Sequence, residues 1–301
     1  MKVNVDIIHP DRVLFPADGI TKGDLVDYYA EVAPVMLPHL AGRPLTLTRF
    51  PGGIDEEGFI QQDFAHSLPD WMKRAAVTRK GQKGGAVVHP LAQCREALMW
   101  TANHDCITLH TWLSRQPRLQ RADRVVFDLD PPTGSDFGAV RATARTVAGI
   151  LGDLGLTPYV QTTGSRGLHV VTPLRRGADF DTTRQFACQV ADLVVADDPA
   201  HRTTQARKAN RDGRVYVDVM RNAYGKTAVA PYAVRARPGA PVAAPLDWAE
   251  LGDRGMRADR LTLRDIPKRI SERSDPWADM GQHAHSLSGP RHRLAKLLQA
   301  G

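Results

Sequence analysis

Three cysteines in 301 residues, Cys94, Cys106 and Cys188, are an odd and sparse set. They build no disulfide framework, and without a CxxC spacing they mark no zinc site. Aromatic residues make up 6% of the chain, which gives little support to a protein that holds single strands mainly by stacking. No stretch approaches the roughly 20 apolar residues of a membrane span. The start, Met1-Lys2-Val3-Asn4-Val5-Asp6, lacks the apolar core of a signal peptide. Neither an internal repeat nor a low-complexity linker is visible. The expectation is a cytosolic protein of a reducing compartment, with no membrane partner. Length allows one large domain or two small ones, and 42% hydrophobic residues are ample for a packed core. What the chain has in excess is positive charge, formally +7. That suits a polyanionic partner, although mild basicity is common and decides nothing alone.

Hydrophobic periodicity divides the chain. Thr21 followed by Asp24 reads as a helix start, with Leu25, Tyr28, Tyr29 and Val32 then at helical spacing. Leu45 to Phe50 alternates as a short strand. Residues 51–90 are rich in glycine and charge, with Lys73, Arg74, Arg79, Lys80 and Lys83 expected on exposed loops. The middle third is more regular. A strand over 124–130 precedes a helix over about 138–154 with Val140, Ala144, Val147, Leu151 and Leu154 on one face. Strands near 157–162 and 168–173 flank the turn Gly164-Ser165-Arg166-Gly167. A helix carrying Phe186, Val190, Leu193 and Val194 follows, then a strand over 214–219. The order β-α-β-β-α-β is the ferredoxin-like split unit, in which the first strand is central between the third and fourth.

That topology concentrates chemistry. On a strand, Asp128 and Asp130 share one face while Phe127 and Leu129 take the other. Pro131 and Pro132 then stop the ladder. Two carboxylates roughly 6–7 Å apart on one pleat repel unless one is protonated or a cation intervenes. An isolated Asp-x-Asp is more often a solvated strand end. Here Asp218 and His169 lie on the two strands expected to flank it. Three carboxylates could hold two divalent cations, Mg²⁺ or Mn²⁺, which take oxygen ligands and substrate phosphates. Such a pair stabilises the attacking and leaving oxygens of a phosphoryl displacement. The turn at Ser165 and Arg166 offers N–H groups, a hydroxyl and a cation to phosphate oxygens. A basic loop, Arg221 to Lys226, begins beyond Asp218, and Arg235 and Arg237 follow.

Together these blocks resemble a known family. Val126-Phe127-Asp128-Leu129-Asp130-Pro131-Pro132, Thr163-Gly164-Ser165-Arg166-Gly167-Leu168-His169-Val170 and Thr227-Ala228-Val229-Ala230-Pro231-Tyr232 resemble the polymerase domain of bacterial non-homologous end-joining ligases. That domain belongs to the archaeo-eukaryotic primase superfamily. The resemblance starts at Pro10-Asp11-Arg12-Val13-Leu14-Phe15-Pro16, continues through Leu109-His110-Thr111-Trp112 and ends around Asp275-Pro276-Trp277-Ala278. It implies an α+β fold, a primase-type catalytic module with a ferredoxin-like core and an N-terminal α/β module packed against it. The expected boundaries are a catalytic domain over 1–287, divided near 120, and a basic tail over 288–301.

By resemblance Asp128, Asp130 and Asp218 are the metal-binding catalytic acids, with two ions, Mn²⁺ or Mg²⁺. His110, Ser165 and Arg235 match nucleotide contacts, and Arg166, His169 and Lys226 join them. The family's pocket for a downstream 5′-phosphate, usually an asparagine and two lysines, matches His9, Arg12 and Lys22. Its paired aromatics for the template reduce here to Phe59, followed by Ile60, Gln61 and Gln62. The implied activity is templated nucleotide addition to 3′ ends, with ribonucleotides accepted or preferred, in gap filling for excision repair or end joining. The implied partners are gapped, nicked or primer-template DNA, nucleoside triphosphates, a separate ATP-dependent ligase and Ku, in the bacterial cytoplasm at the nucleoid. With no ligase or phosphoesterase motif in the sequence, the expectation is a stand-alone form. His283 and His285 are expected to be solvated.

Two rivals remain. A haloacid-dehalogenase-type phosphatase also begins with an apolar strand ending in Asp-x-Asp, and Asp197-Asp198 could serve as its later acidic pair. It requires a parallel sheet. A non-catalytic basic nucleic-acid-binding module is the other, and three retained acids speak against it.

Overall fold

Val125, Phe127 and Leu129 alternate to one side of the Arg124–Asp130 strand and are fully buried. The computed structural model describes residues 4–78, 85–132, 134 and 137–300; the expected loop cations Arg79, Lys80 and Lys83 lie outside them. Arg124–Asp130 is central in a six-stranded sheet. The order runs Arg202–Thr203, Val215–Asp218, Arg124–Asp130, Leu168–Pro173, Tyr159–Thr162, Pro245–Leu246. Its inner four strands are the split unit the periodicity predicts, with the first strand between the third and fourth. The two edge strands were not anticipated, because two residues carry no periodicity. Every neighbour of Arg124–Asp130 is antiparallel, which removes the parallel-sheet phosphatase reading. Asp197 and Asp198 instead serve the end of their helix, through Arg202 and His201.

Helices Phe137–Asp153 and Phe180–Asp197 pack on this sheet and on each other. Val140, Ala144, Val147, Leu151 and Leu154 are fully buried, as are Phe186, Val190 and Val194. Leu193 is only half-buried. A side chain of this size contributes about 1.5–3 kcal/mol when fully buried, so truncating Phe127 to alanine would cost about 3–5 kcal/mol.

These elements belong to a unit of residues 118–228, 245–260 and 276–301. Residues 1–117, 229–244 and 261–275 form the other, so the chain revisits its first unit twice instead of dividing once near 120. The segment 288–301, expected as a tail, includes the helix Ser288–Ala300 and is docked. Leu294 is buried, and Arg293 Nε donates to the Leu154 carbonyl at 2.9 Å. His283 is bonded rather than simply solvated. Its Nδ1 lies 2.7 Å from the Tyr159 hydroxyl, which donates to Asp279 at 2.8 Å.

In the first unit, helix Lys22–Glu31 opens with a capping box. The Thr21 N–H donates to Asp24 Oδ2 at 2.8 Å, and the Asp24 N–H returns to Thr21 Oγ1 at 3.2 Å. Leu25, Tyr28, Tyr29 and Val32 are buried. Tyr29 OH donates to the Ile107 carbonyl at 2.7 Å and Tyr28 OH to the Tyr232 carbonyl at 2.8 Å. The strand Leu45–Arg49 lies between Phe59–Gln61 and Cys106–Trp112. Among the described residues no helix is long and apolar enough to cross a membrane.

Candidate active site

Register brings the acids together. His169, Asp128 and Asp218 are direct neighbours across three strands, and Tyr216 faces Asp130. Opposite residues on antiparallel strands have Cα atoms about 4.5–5.5 Å apart. Asp128 is buried, while Asp130 and Asp218 are half-buried. Asp128 Oδ1 lies 3.4 Å from His169 Nε2, and its Oδ2 lies 3.6 Å from Arg221 Nε. Gln161 Nε2 stands 3.2 Å from His169 Nδ1. Asp218 Oδ1 accepts the Met220 N–H at 2.7 Å. Burial, then the charge of Asp128, pushes the Asp130 carboxyl above its ordinary value; Asp218 adds to this, and Arg211 and Arg166 oppose it.

Burial is the larger cause, and the like charges of Asp128 and Asp218 add to it. Among the described residues no group of three or more His, Cys, Asp or Glu is closed tightly enough to hold a metal ion by itself. An all-oxygen set on neighbouring strands still fits Mg²⁺ or Mn²⁺, which complete their shells with water and substrate phosphates.

Three residues here carry no signal in the sequence. Tyr216, two positions before Asp218 and so on the same face, is buried, and its hydroxyl is pushed to about 12 by burial first and Asp218 second. The Arg211 guanidinium lies 3.9 Å from the centre of its ring, a cation–π contact. Another residue, Asn222, sits within the basic loop that follows Asp218 and is fully buried. Its Oδ1 accepts the Val126 N–H at 2.9 Å, and its Nδ2 donates to the carbonyls of Val126 at 2.7 Å and Val219 at 2.9 Å. It fastens the basic loop to the central strand. Arg221 and Lys226 on that loop are exposed.

The turn after Tyr159–Thr162 has its own requirements. Gly164 has φ +61°, which a side chain disfavours. A Cβ on Gly167 would collide with the Leu129 carbonyl oxygen, so this turn lies against the strand of the acids. Thr163 Oγ1 bonds Gly167 on both sides, accepting its N–H at 3.2 Å and donating to its carbonyl at 3.1 Å. Ser165 and Arg166 are thereby held at the tip.

On the first unit, His110 and Arg235 line a cavity of about 480 Å³ with Thr48, Phe50, Thr108 and Arg237. Thr46 pairs with His110 and Thr48 with Thr108, so period two puts all four on one sheet face. Thr108 Oγ1 donates to the Val234 carbonyl at 2.8 Å, fixing the segment that presents Arg235.

Elsewhere on that unit Arg12 and Lys22 meet on one carboxylate absent from the sequence expectation. Arg12 Nη2 ion-pairs with Asp105 Oδ1, and Lys22 Nζ lies 3.0 Å from the same oxygen and donates to the Asn103 carbonyl at 3.0 Å. Lys22 is buried, and its ammonium falls to about 8, through desolvation first and the charges of Arg12 and Arg49 next. Asp105 has φ +62°. Near this cluster in sequence, His9 is exposed and has φ +53°. On its edge strand Phe59 is 47% exposed, with the Arg49 guanidinium 5.4 Å from the ring centre.

The chain as a whole is similar to known proteins. The family model "LigD, primase-polymerase domain" matches residues 21–277. The multifunctional non-homologous end joining protein LigD of Mycolicibacterium smegmatis is 36% identical over 282 residues, covering 93% of this chain and 36% of that protein. The bifunctional LigD of Bacillus subtilis is 29% identical over 293 residues, covering 95% of this chain and 46% of its own length. The chain therefore spans about a third of the first relative and just under half of the second. Among solved structures, the polymerase domain from Mycobacterium tuberculosis Ligase D in complex with DNA superposes with a TM-score of 0.87. It is 36% identical, and the match covers 93% of this chain and 99% of that one.

Proposed function

This chain belongs to the LigD primase-polymerase domain family, and from that premise we propose that it is a template-dependent nucleotidyltransferase that fills short gaps in DNA. The observation carrying the proposal is the in-register set of Asp128 and Asp218, with Asp130 two residues after Asp128 and raised by burial first and by Asp128 next. Asp128, Asp130 and Asp218 would hold two divalent cations, Mn²⁺ or Mg²⁺, which supply charge neutralisation at the transferring phosphoryl group.

The chain's own residues set the rest. His169 and Arg221 fix the orientation of Asp128 from either side. Ser165 and Arg166, held on the glycine-bounded turn, offer a hydroxyl and a guanidinium to phosphate oxygens, and exposed Lys226 adds an ammonium. His110 and Arg235, in their own cavity, take the role of nucleotide contacts. Arg12 and Lys22, with His9, receive a downstream 5′-phosphate, and exposed Phe59 stacks on a template base. The substrates are nucleoside triphosphates, ribonucleotides at least as well as deoxynucleotides, and gapped, nicked or primer-template DNA. The setting is bacterial end joining or excision repair at the nucleoid, beside an ATP-dependent ligase and Ku.

The test is primer extension on a gapped duplex with Mn²⁺ or Mg²⁺ and all four ribonucleotides. Templated addition is expected. Its absence with both metals and both sugar types would overturn the reading.

A further inference from the structure

Behind the Pro131–Pro132 stop, the second unit has an open cleft of about 400 Å³. Its apolar lining includes Pro132, Phe137 and Met256, and Arg166, Arg254 and Arg257 also line it. Arg254 is exposed and has no hydrogen-bond or ion-pair partner among the described residues. Among the described residues Arg257 pairs with Asp259, with 3.4 Å between Nε and Oδ1, in an exposed pair of the kind that contributes little. Arg166 is exposed at the tip of its turn.

The segment carrying Arg254 and Arg257 is a built platform. Met256 and Ala258 are buried beside the two exposed arginines. Arg141 Nη1 donates to the Asp253 carbonyl at 2.8 Å, Arg260 Nη1 binds Asp253 Oδ2 at 2.6 Å, and the Gly255 N–H donates to Asp253 Oδ1 at 2.8 Å. Like charges held together around one concavity repel in isolation and are favoured by a polyanion. The cations come from two separate segments with apolar surface between them, which matches successive phosphates of a strand with its sugars and bases turned inward. Pro131 follows Asp130 directly, so the cleft begins one residue from the acids.

We propose that this cleft binds the sugar-phosphate backbone of the nucleic-acid strand that carries the growing 3′ end, with Arg254 and Arg257 on its phosphates. The proposal rests on the polymerase reading for which strand is bound, and on the cleft alone for the binding itself.

The test uses the full chain and an Arg254→Ala/Arg257→Ala double variant, with Arg254→Lys/Arg257→Lys as the charge-retaining control. Kd for a primer-template is measured from low to moderate salt, together with nucleotide KM and kcat at saturating DNA. The alanine variant should bind about tenfold more weakly at low salt. Its log–log salt slope should fall by about 1.8, at roughly 0.9 per phosphate contact. The lysine variant should keep most of the slope, and nucleotide KM and kcat should not change. With the 3′-bearing strand shortened to a stub, the proteins should bind alike. Equal Kd values for wild type and alanine variant would overturn the proposal. So would a raised nucleotide KM with unchanged Kd, which would place a free nucleotide in the cleft, or a difference that persists on template alone. A lysine variant that behaves like alanine would also overturn it. Because binding is read without turnover, an inactive wild type would remove the polymerase reading and leave this measurement standing.

Discussion

Asp105→Asn separates two uses of one pair of cations. In the folded protein Asp105 holds Arg12 and Lys22 on a single carboxylate oxygen, where a DNA 5′-phosphate would have to sit. A phosphate approaching those cations meets the carboxylate at roughly 5 Å. At an effective dielectric of 20 this repulsion is about 3 kcal/mol per unit charge. Two effects reduce the gain from removing it. Arg12 is one-third exposed, so part of the interaction is screened. The buried Lys22, already lowered to about 8, falls further once its anion is gone. A net gain of about 1.4 kcal/mol, or tenfold, is expected in the preference for 5′-phosphate over 5′-hydroxyl gapped DNA.

The assay is a titration of both DNAs at pH 7 and low salt against wild type and Asp105→Asn. In wild type the preference should fade as pH rises through about 8, because Lys22 then loses its proton while the phosphate stays fully charged. Stability should move the other way. Lys22 is lowered in the folded state, so the unfolded chain binds more protons between about 8 and 10.5. Over that window stability therefore rises with pH. If wild type prefers the phosphate and Asp105→Asn leaves that preference unchanged or smaller, the competition argument is refuted. If neither protein distinguishes the two DNAs, Arg12 and Lys22 do not form a phosphate pocket.

Three further outcomes follow from the same contacts. Asp218→Ala should leave the fold and DNA binding nearly intact and lower nucleotide incorporation by about a hundredfold to a thousandfold, the scale for losing one electrostatic stabiliser; near-normal extension would remove the acid from the mechanism. Single-nucleotide incorporation on one gapped substrate should favour ribonucleotides or treat both sugars alike, and a deoxynucleotide advantage of about a hundredfold in kcat/KM, about 2.7 kcal/mol, would contradict the nucleotide assignment. Asn222→Ala should cost about 2–4 kcal/mol in urea unfolding, since it removes the side-chain partner of the buried Val126 N–H and carbonyl, while the Val219 carbonyl keeps the backbone N–H of residue 222; a loss under about 0.5 kcal/mol would mean that the loop is not fastened through this side chain.

Much of this molecule follows from local pattern. Alternation along 124–130 and helical spacing after residue 137 specify strand and helix without tertiary help, because a two-residue period and a 3.6-residue period bury different faces. Given the β-α-β-β-α-β order, the central place of Arg124–Asp130 and the convergence of Asp128, His169 and Asp218 on one sheet face follow from how that unit closes, whereas their residue-for-residue register is set by the strand pairing itself. Thr21 and Asp24 form their capping box within four residues. The blocks around Asp128, Ser165 and Thr227 are likewise readable as text, since each is continuous.

The tertiary structure decided what depends on distant partners or very short elements. Arg12 and Asp105 are 93 residues apart, and Val126 and Asn222 are 96 apart, so no window of sequence contains either pair. Arg211 looks like one more surface cation until Tyr216 lies beneath it. The edge strands Arg202–Thr203 and Pro245–Leu246 have no period to detect and exist only because a paired neighbour satisfies their backbone groups. Sequence determined which faces would be apolar and which residue types the site would contain. Packing alone determined which charges share a carboxylate, because burial leaves a cation such as Lys22 few partners and the long-range fold selects among them.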